Sequence, residues 1–404
     1  MPDAVQTGVH SAGAPAKAAV SLRLAILMNV IAPYHKPLLD RLAQRYGDMR
    51  ILLSTPMESN RPWKLEWEGL DVVIQKNVTL HRRWRHPKGF SEPLYVHVPI
   101  DTVVQLSRFR PDVVISWEMG MRTILAAVYR RLHRRSKLMV WAEFAESTEY
   151  GRGALRQTIR KILHRGIDGF LVTGASGARY LQSLGIPARK IHRIVYTTDV
   201  ELFAACSLDR AAESAWQLLY VGQLIERKGL VRFLEELSSW TALHPDRRIG
   251  LTFAGDGPLR AYLEQYAVPP NLQLFFLGNV AYADLPGVYA KAGIFVLPTL
   301  ADTWGVVVNE AMAAGLPVLG SVYGQAVAEL VESDVNGWTF RPDRGTEMFE
   351  AIERAMDTSI EELDHMRENA RMVALRLTPD HVTDLIDHGI QACVADQNRP
   401  ASVV

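Results

Sequence analysis

Cysteine is almost missing, with two residues in 404, Cys206 and Cys393. Two thiols cannot build a disulfide framework, and no Cys/His spacing suggests zinc. A reducing, cytoplasmic setting fits. Long apolar runs are missing too. No stretch approaches the roughly 20 residues that a membrane-crossing helix needs. Residues 1–20 are rich in Ala and Gly but lack the basic start and apolar core of a secretory signal, so they read as a disordered lead-in. No Gly-x-Gly-x-x-Gly follows an apolar run, which argues against a dinucleotide-dependent oxidoreductase. No internal repeat or low-complexity tract stands out after residue 20.

Net charge is also scarce, at +1, but that value hides a division. Residues 1–200 hold 30 Lys+Arg against 16 Asp+Glu, a balance of +14. Residues 201–404 hold 15 against 28, a balance of −13. Such asymmetry suggests a boundary near residue 200 and a basic surface that meets an anionic partner. The basic residues cluster. Arg82, Arg83, Arg85 and Lys88 flank Trp84, and Arg130, Arg131, Arg134, Arg135 and Lys137 form a second group. Arg152, Arg156 and Arg160 recur at helical spacing beside an apolar stripe of Leu155, Ile159, Ile162 and Leu163. A helix of this kind reads in two ways: lying on an anionic membrane surface, or solvated with the stripe in the core. Nucleic acid is disfavoured, because no recognised binding module accompanies the charge.

Short apolar runs alternate with helical periodicity along the whole chain. Strands are expected at Leu22–Val30, Arg50–Ser54, Leu70–Ile74, Asp112–Trp117, Leu138–Ala142, Phe170–Thr173 and Ile194–Tyr196. The pattern restarts at Gln217–Val221 and continues through Ile249–Ala254, Leu272–Phe276, Gly293–Leu297 and Leu316–Gly320. The fold class is α/β, with two Rossmann-like doubly wound domains facing a central cleft. The expected boundaries are 21–198 and 199–377, followed by a final helix and tail over 378–404.

The most informative stretch runs from Phe295 to Phe340. It reads as strand, loop, helix and strand, with a helix over Val306–Ala314 stopped by Gly315 and Pro317. Ligands in such sheets sit beyond the carboxyl ends of the strands, so the amides of Trp304, Gly305 and Val306 face an anion, most simply a phosphate. Two carboxylates flank the spot. Asp302 can cap the helix, and Glu310 lies one and a half turns inside it, roughly 7.5 Å along the axis. Upstream, Leu218–Gly229 places Gly222 at a turn and Arg227 and Lys228 before a helix, where basic groups would neutralise a diphosphate and stabilise it as a leaving group.

These segments closely resemble the donor site of retaining glycosyltransferase family 4, whose fold is GT-B. The pattern Asp302-x7-Glu310 precedes Ala311, Met312, Ala313, Gly315, Pro317 and Val318, and continues with Gly324, Glu329, Asn336 and Gly337 at the family's spacing. The first acid is Asp where the family has Glu. Gly222-Gln-Leu-x-x-x-Lys228-Gly229 matches a second family segment, with Gln223 in the place of its Arg. The resemblance covers nearly all of residues 22–394.

It implies that Lys228, with Arg227 standing in for the missing Arg, contacts the donor phosphates. It implies that Glu310 holds the ribose hydroxyls and that Asp302 approaches the transferred sugar. Gly257 matches a turn lining the nucleotide pocket, and Gly278 and Val280 match the stretch that meets the base. In the first domain, Tyr34, His35 and Lys36 replace the Gly-rich loop of many relatives. Glu143 takes the place of a His near the sugar or acceptor, with Glu146 and Glu149 close by. No Asp-x-Asp occurs in the chain, so transfer without a metal or other cofactor is expected. The implied function is retaining transfer of a sugar from a nucleotide-diphosphate sugar to a hydroxyl acceptor, either lipid-linked or a cell-surface glycan. Peripheral attachment to the inner membrane face follows from the charge. The rivals are a binding-only relative that has lost transfer and another sugar-nucleotide enzyme on the same scaffold.

Overall fold

A computed structural model describes residues 21–58, 63 and 67–395. The expected lead-in over 1–20 and the tail after 395 lie outside the described residues. The first domain runs β1 (Leu24–Met28), α1 (Lys36–Tyr46), β2 (Met49–Leu53), β3 (Val72–Ile74), β4 (Asn77–Arg85), β5 (Ser91–Pro99), α2 (Thr102–Phe109) and β6 (Val113–Trp117). It continues through α3 (Met121–Leu132), β7 (Lys137–Ala142), α4 (Glu146–Glu149), α5 (Ala154–Leu163), β8 (Gly169–Thr173), α6 (Gly174–Ser183) and β9 (Ile191–Ile194). Seven of these strands form a parallel sheet in the order β3-β2-β1-β6-β7-β8-β9. β1, β6, β7 and β8 are buried along their whole length. This is why they read as continuous apolar runs: helices cover both faces of a parallel sheet.

The second domain follows with α7 (Val200–Ala204), β10 (Gln217–Val221), α8 (Leu230–Leu243), β11 (Ile249–Ala254), α9 (Arg260–Glu264), β12 (Leu272–Gly278), α10 (Leu285–Tyr289) and β13 (Ile294–Leu297). Then come α11 (Val307–Ala313), β14 (Val318–Ser321), α12 (Gln325–Leu330), β15 (Gly337–Phe340), α13 (Gly345–Asp357), α14 (Ile360–Ala374) and α15 (Pro379–Ala395). Its six strands are parallel in the order β12-β11-β10-β13-β14-β15. Each sheet therefore has one reversal of winding, at β1/β6 and at β10/β13. These are the places where α/β sheets hold ligands.

The last helix does not stay with the second domain. Val382, Ile386, Ile390 and Cys393 of α15 enter the core that β1, β2 and α1 build in the first. The chain thus crosses between domains twice. The two crossings touch, with the buried Thr197 hydroxyl donating to the Leu377 carbonyl at 2.5 Å.

The sequence reading is corrected at β9, which runs Ile191–Ile194 rather than Ile194–Tyr196, at β15, where no strand is expected, and at a hairpin. No strand was expected between residues 75 and 111, yet β4 and β5 form an antiparallel hairpin paired from Asn77↔Pro99 to Arg85↔Ser91. β4 is largely exposed and strongly basic, and β5 contains Pro93, which an edge strand tolerates and a central strand does not. β5 does alternate, at Leu94, Val96 and Val98, but in β4 the alternation of Val78 and Leu80 gives way to the basic run over 81–85, which hides the partner strand. The basic cluster around Trp84 is therefore on a hairpin.

Candidate active site

The carboxyl ends of β10 and β13 build a basic clamp. Glu226–Lys228 form a single 3-10 turn, and Gly229 follows with φ +70°. A Cβ on Gly229 would lie 2.2 Å from the Pro298 carbonyl oxygen, so only glycine lets this loop meet the chain leaving β13. The Arg227 carbonyl accepts from the Leu300 amide at 2.8 Å, and its guanidinium donates to the Ala301 carbonyl at 2.8 Å. Two segments about 70 residues apart in sequence are thereby locked side by side.

Asp302 sits at their junction. Its carboxylate lies 2.5 Å from Lys228 Nζ and 3.4 Å from Arg227 Nη1. Burial would raise this carboxyl, but the ammonium and the guanidinium outweigh it and hold Asp302 below the usual carboxylate range. The expected cap is therefore corrected. α11 starts at Val307 with no side-chain cap, and Asp302 serves as counter-ion to the clamp.

Glu310 is also placed differently from a surface helix residue. It is 2% exposed, and the Tyr289 hydroxyl donates to its carboxylate at 2.9 Å. Burial lifts the Glu310 carboxyl to about 7, with the tyrosine hydroxyl opposing. The Trp304 indole turns into the core, where its Nε1 donates to Asn309 Oδ1 at 2.7 Å, which leaves that side chain no part in binding an anion. The remaining second-domain candidates rim the same sheet. Gly222 and Gln223 follow β10, Gly257 follows β11, and Gly278 and Val280 end β12. Gly222 and Gly255 cross so closely that a Cβ on Gly255 would meet the Gly222 carbonyl oxygen at 2.0 Å.

The first domain faces this rim. Of Tyr34, His35 and Lys36, His35 Nε2 pairs with the Tyr196 hydroxyl at 2.7 Å, and Tyr34 packs on the His35, Trp63 and Tyr196 rings. Tyr196 in turn stacks toward Trp304, and its carbonyl accepts from Asn309 Nδ2 at 2.9 Å. This linker tyrosine, absent from the sequence reading, joins His35 to α11. Lys36 is a correction. Its ammonium pairs with Asp40 at 2.6 Å one turn along α1, a neighbour available to any i, i+4 pair. The three acids after β7 also separate. Glu146 pairs with Arg179 at 2.7 Å away from the cavity, whereas Glu143 and Glu149 both line it, Glu149 paired with Arg160 at 2.6 Å.

A cavity of about 530 Å³ lies between the domains. Asp302, Arg227 and Glu143 line it, together with Asn29, Glu118, Arg122 and Glu92, which sequence reasoning missed. Asn29 and Glu118 follow β1 and β6, the reversal point of the first sheet, so their position was legible from the two apolar runs before them. Glu92 gave no such signal, because it belongs to the hairpin. The hairpin tip reaches the second domain. Glu92 pairs with Arg227, the Ser91 amide donates to Glu226 at 3.1 Å, and Lys88 donates to the Leu300 carbonyl at 3.3 Å while sitting over the Tyr323 ring. Phe90 is buried against Leu300 and Ala301. Beyond the hairpin, Gln325 and Glu329 of α12 receive the amides of Gly177 and Ala175 at the start of α6. Glu329, a residue of the family pattern, thus holds the two domains together.

Residues 209–373 match the glycosyl transferases group 1 family. The alpha-D-kanosaminyltransferase of Streptomyces kanamyceticus is 29% identical over 196 residues, 46% of this chain and 50% of that protein. The sulfoquinovosyl transferase of Arabidopsis thaliana is 26% identical over 278 residues, 62% of this chain and 52% of that one. The chain spans about half the length of these two curated relatives. In three dimensions, the crystal structure of Anabaena HepE in complex with UDP aligns over 92% of this chain and 100% of that one, with a TM-score of 0.70 at 17% identity. The chain therefore has the GT-B fold, and residues 209–373 of its second domain match the glycosyl transferases group 1 family.

Proposed function

We propose that this protein transfers a sugar from a nucleotide-diphosphate sugar to a hydroxyl acceptor with retention of anomeric configuration. The observation that carries the reading is the Arg227–Lys228–Asp302 clamp at the β10/β13 reversal, facing a cavity walled by the other domain. Two cations locked beside a buried acid supply the charge that a departing diphosphate needs, in a site shielded from bulk water. That makes a metal unnecessary in this reading. In the transfer, the bond from the anomeric carbon to the diphosphate oxygen breaks as the bond to the acceptor oxygen forms. The acceptor proton passes to the departing phosphate oxygen. Glu310 receives the ribose hydroxyls, the backbone at Gly305 the phosphates or the sugar, and Glu143 lies on the acceptor side.

A lipid surface is the proposed setting. α5 is inverted relative to a core helix. Leu155 is 76% and Ile162 62% exposed, while Arg160 is buried at 1%. An exposed apolar stripe flanked by basic residues suits an anionic membrane face.

Thermal shift against a panel of nucleotide sugars tests the donor assignment. One base should stabilise the protein selectively, and Lys228→Ala should lower turnover with that donor roughly 10²-fold, the usual loss of one charge-stabilising donor. Stabilisation by every nucleotide alike, or unchanged turnover in Lys228→Ala, would remove the clamp from the mechanism.

A further inference from the structure

Arg122 is a buried cation that donor binding leaves unused. It stands in the first turn of α3, beneath the β1/β6 reversal, and is 5% exposed. Its Nη1 donates to Asn29 Oδ1 and, at 3.3 Å, to Ser54 Oγ, and its Nη2 donates to the Trp117 carbonyl at 3.1 Å. All three partners are neutral. Among the described residues no carboxylate forms an ion pair with it, and Glu118 and Glu58 act on it only from a distance. Burial brings its pKa down to about 10. Of the other arginines of the cavity wall, Arg160 and Arg156 share Glu149 and Arg227 holds Glu92 and Asp302, while the less buried Arg152 donates to the Thr148 carbonyl and lies over the Trp84 ring. An ion kept out of water without a counter-ion is costly, and such groups are retained where something else supplies the opposite charge.

Arg122 lines the same cavity as Asp302 and Arg227. Its three neutral contacts fix the plane of the guanidinium and leave both its charge and further N–H groups to a ligand. We propose that Arg122 anchors an oxyanion on the acceptor, a phosphate monoester or a carboxylate, so that the acceptor hydroxyl lies toward Asp302. This rests on the glycosyl-transfer reading for the word acceptor, but the oxyanion site itself is separable from it. Met119, Met121 and Leu155 on the same wall give the rest of the molecule an apolar bed.

The protein, saturated with whichever of UDP or GDP stabilises it, is titrated calorimetrically with glycerol 3-phosphate, glucuronate and glycerol. The nucleotide fills the Arg227–Lys228 clamp, so any second anion reports elsewhere. One of the two oxyanions should bind and glycerol should not; the preferred one distinguishes a phosphorylated from a uronate acceptor. Arg122→Gln should weaken that binding at least tenfold and Arg122→Lys should retain part of it, with nucleotide affinity unchanged in both. Met121→Glu, which leaves Arg122 and its three partners intact, should place a counter-ion in the wall and abolish oxyanion binding. Absence of oxyanion binding in the wild type, or equal binding in wild type, Arg122→Gln and Met121→Glu, would overturn the proposal. If neither nucleotide binds, the base is another one; if no nucleoside diphosphate of the panel binds, the donor reading fails. The same titration on the free protein then still decides for or against Arg122.

Discussion

At the scale of single residues, Glu310 shows how little of a side chain's chemistry is visible in its spacing. Its place in the seven-residue interval was legible, and its burial against Tyr289 was not, because that tyrosine lies 21 residues upstream on a different helix. The consequence is a pH dependence. A folded value of about 7 stands above the ordinary 4.5, so folding prefers the protonated acid. The stability tied to that proton is fully present below about 4.5 and is lost as pH rises through about 7, roughly 3 kcal/mol in all. Glu310→Gln should therefore melt above the wild type at pH 8, with the gap closing by pH 5. Ribose hydroxyls need the carboxylate as acceptor, so nucleotide affinity should rise with pH toward 7 in the wild type and stay flat in Glu310→Gln. Calorimetry across that range checks both, and a flat wild-type profile would take ribose away from Glu310. Asp302 makes the same point differently. Alone it reads as a cap, and only the fold brings Lys228 and Arg227 onto it across about 74 residues of sequence.

At the scale of elements, strands buried on both faces were legible because nothing but apolar side chains fits there. The hairpin was not, since the basic run over 81–85 hides one of its two strands, and its tip docks on the other domain. That docking sets up an exchange of charge. Arg227 and Lys228 carry two positive charges, and Glu92 and Asp302 already neutralise them. An incoming diphosphate must displace one acid, and Glu92 is the one carried by a two-stranded hairpin that pairs with no other strand. Glu92→Gln should tighten nucleoside diphosphate binding several-fold and steepen the salt dependence of that binding, because the clamp then meets the anion with a larger net positive charge. Unchanged affinity would leave Glu92 a bystander. α5 was the element with two readings, and the exposure of Leu155, Ile159 and Ile162 supports the proposed membrane face. Leu155→Ser with Ile159→Ser should lower sedimentation with anionic vesicles at least tenfold while leaving nucleotide binding intact. Equal recovery of both proteins with anionic and neutral vesicles would exclude a lipid role for this helix.

At the scale of the molecule, the division of charge marks the division of the fold. The basic half forms the first sheet with the hairpin and α5, and the acidic half forms the second sheet. Sequence located most strands of both sheets, which is why Asn29, Glu118 and Gly222 stand at strand ends that apolar runs announce, whereas the strand order and its two reversals come from the fold. It did not locate the contacts between domains. Gln325, Glu329, Tyr196 and the hairpin tip bind partners more than 70 residues away, and no local pattern encodes such distances.

The stitch between Thr197 and Leu377 has a mechanical meaning. Two chain crossings bonded to one another act as a single axle, so one domain can swing against the other but cannot easily slide or twist about two separate tethers. Displacement grows with distance from an axle. The hairpin tip touches the opposite domain by a few polar contacts and one phenylalanine, so a small rotation that barely disturbs Tyr196 and Trp304 beside the axle would lift Phe90 off Leu300. The leverage lies where the acceptor cavity opens, and the rigid end lies where His35, Tyr196 and α11 meet.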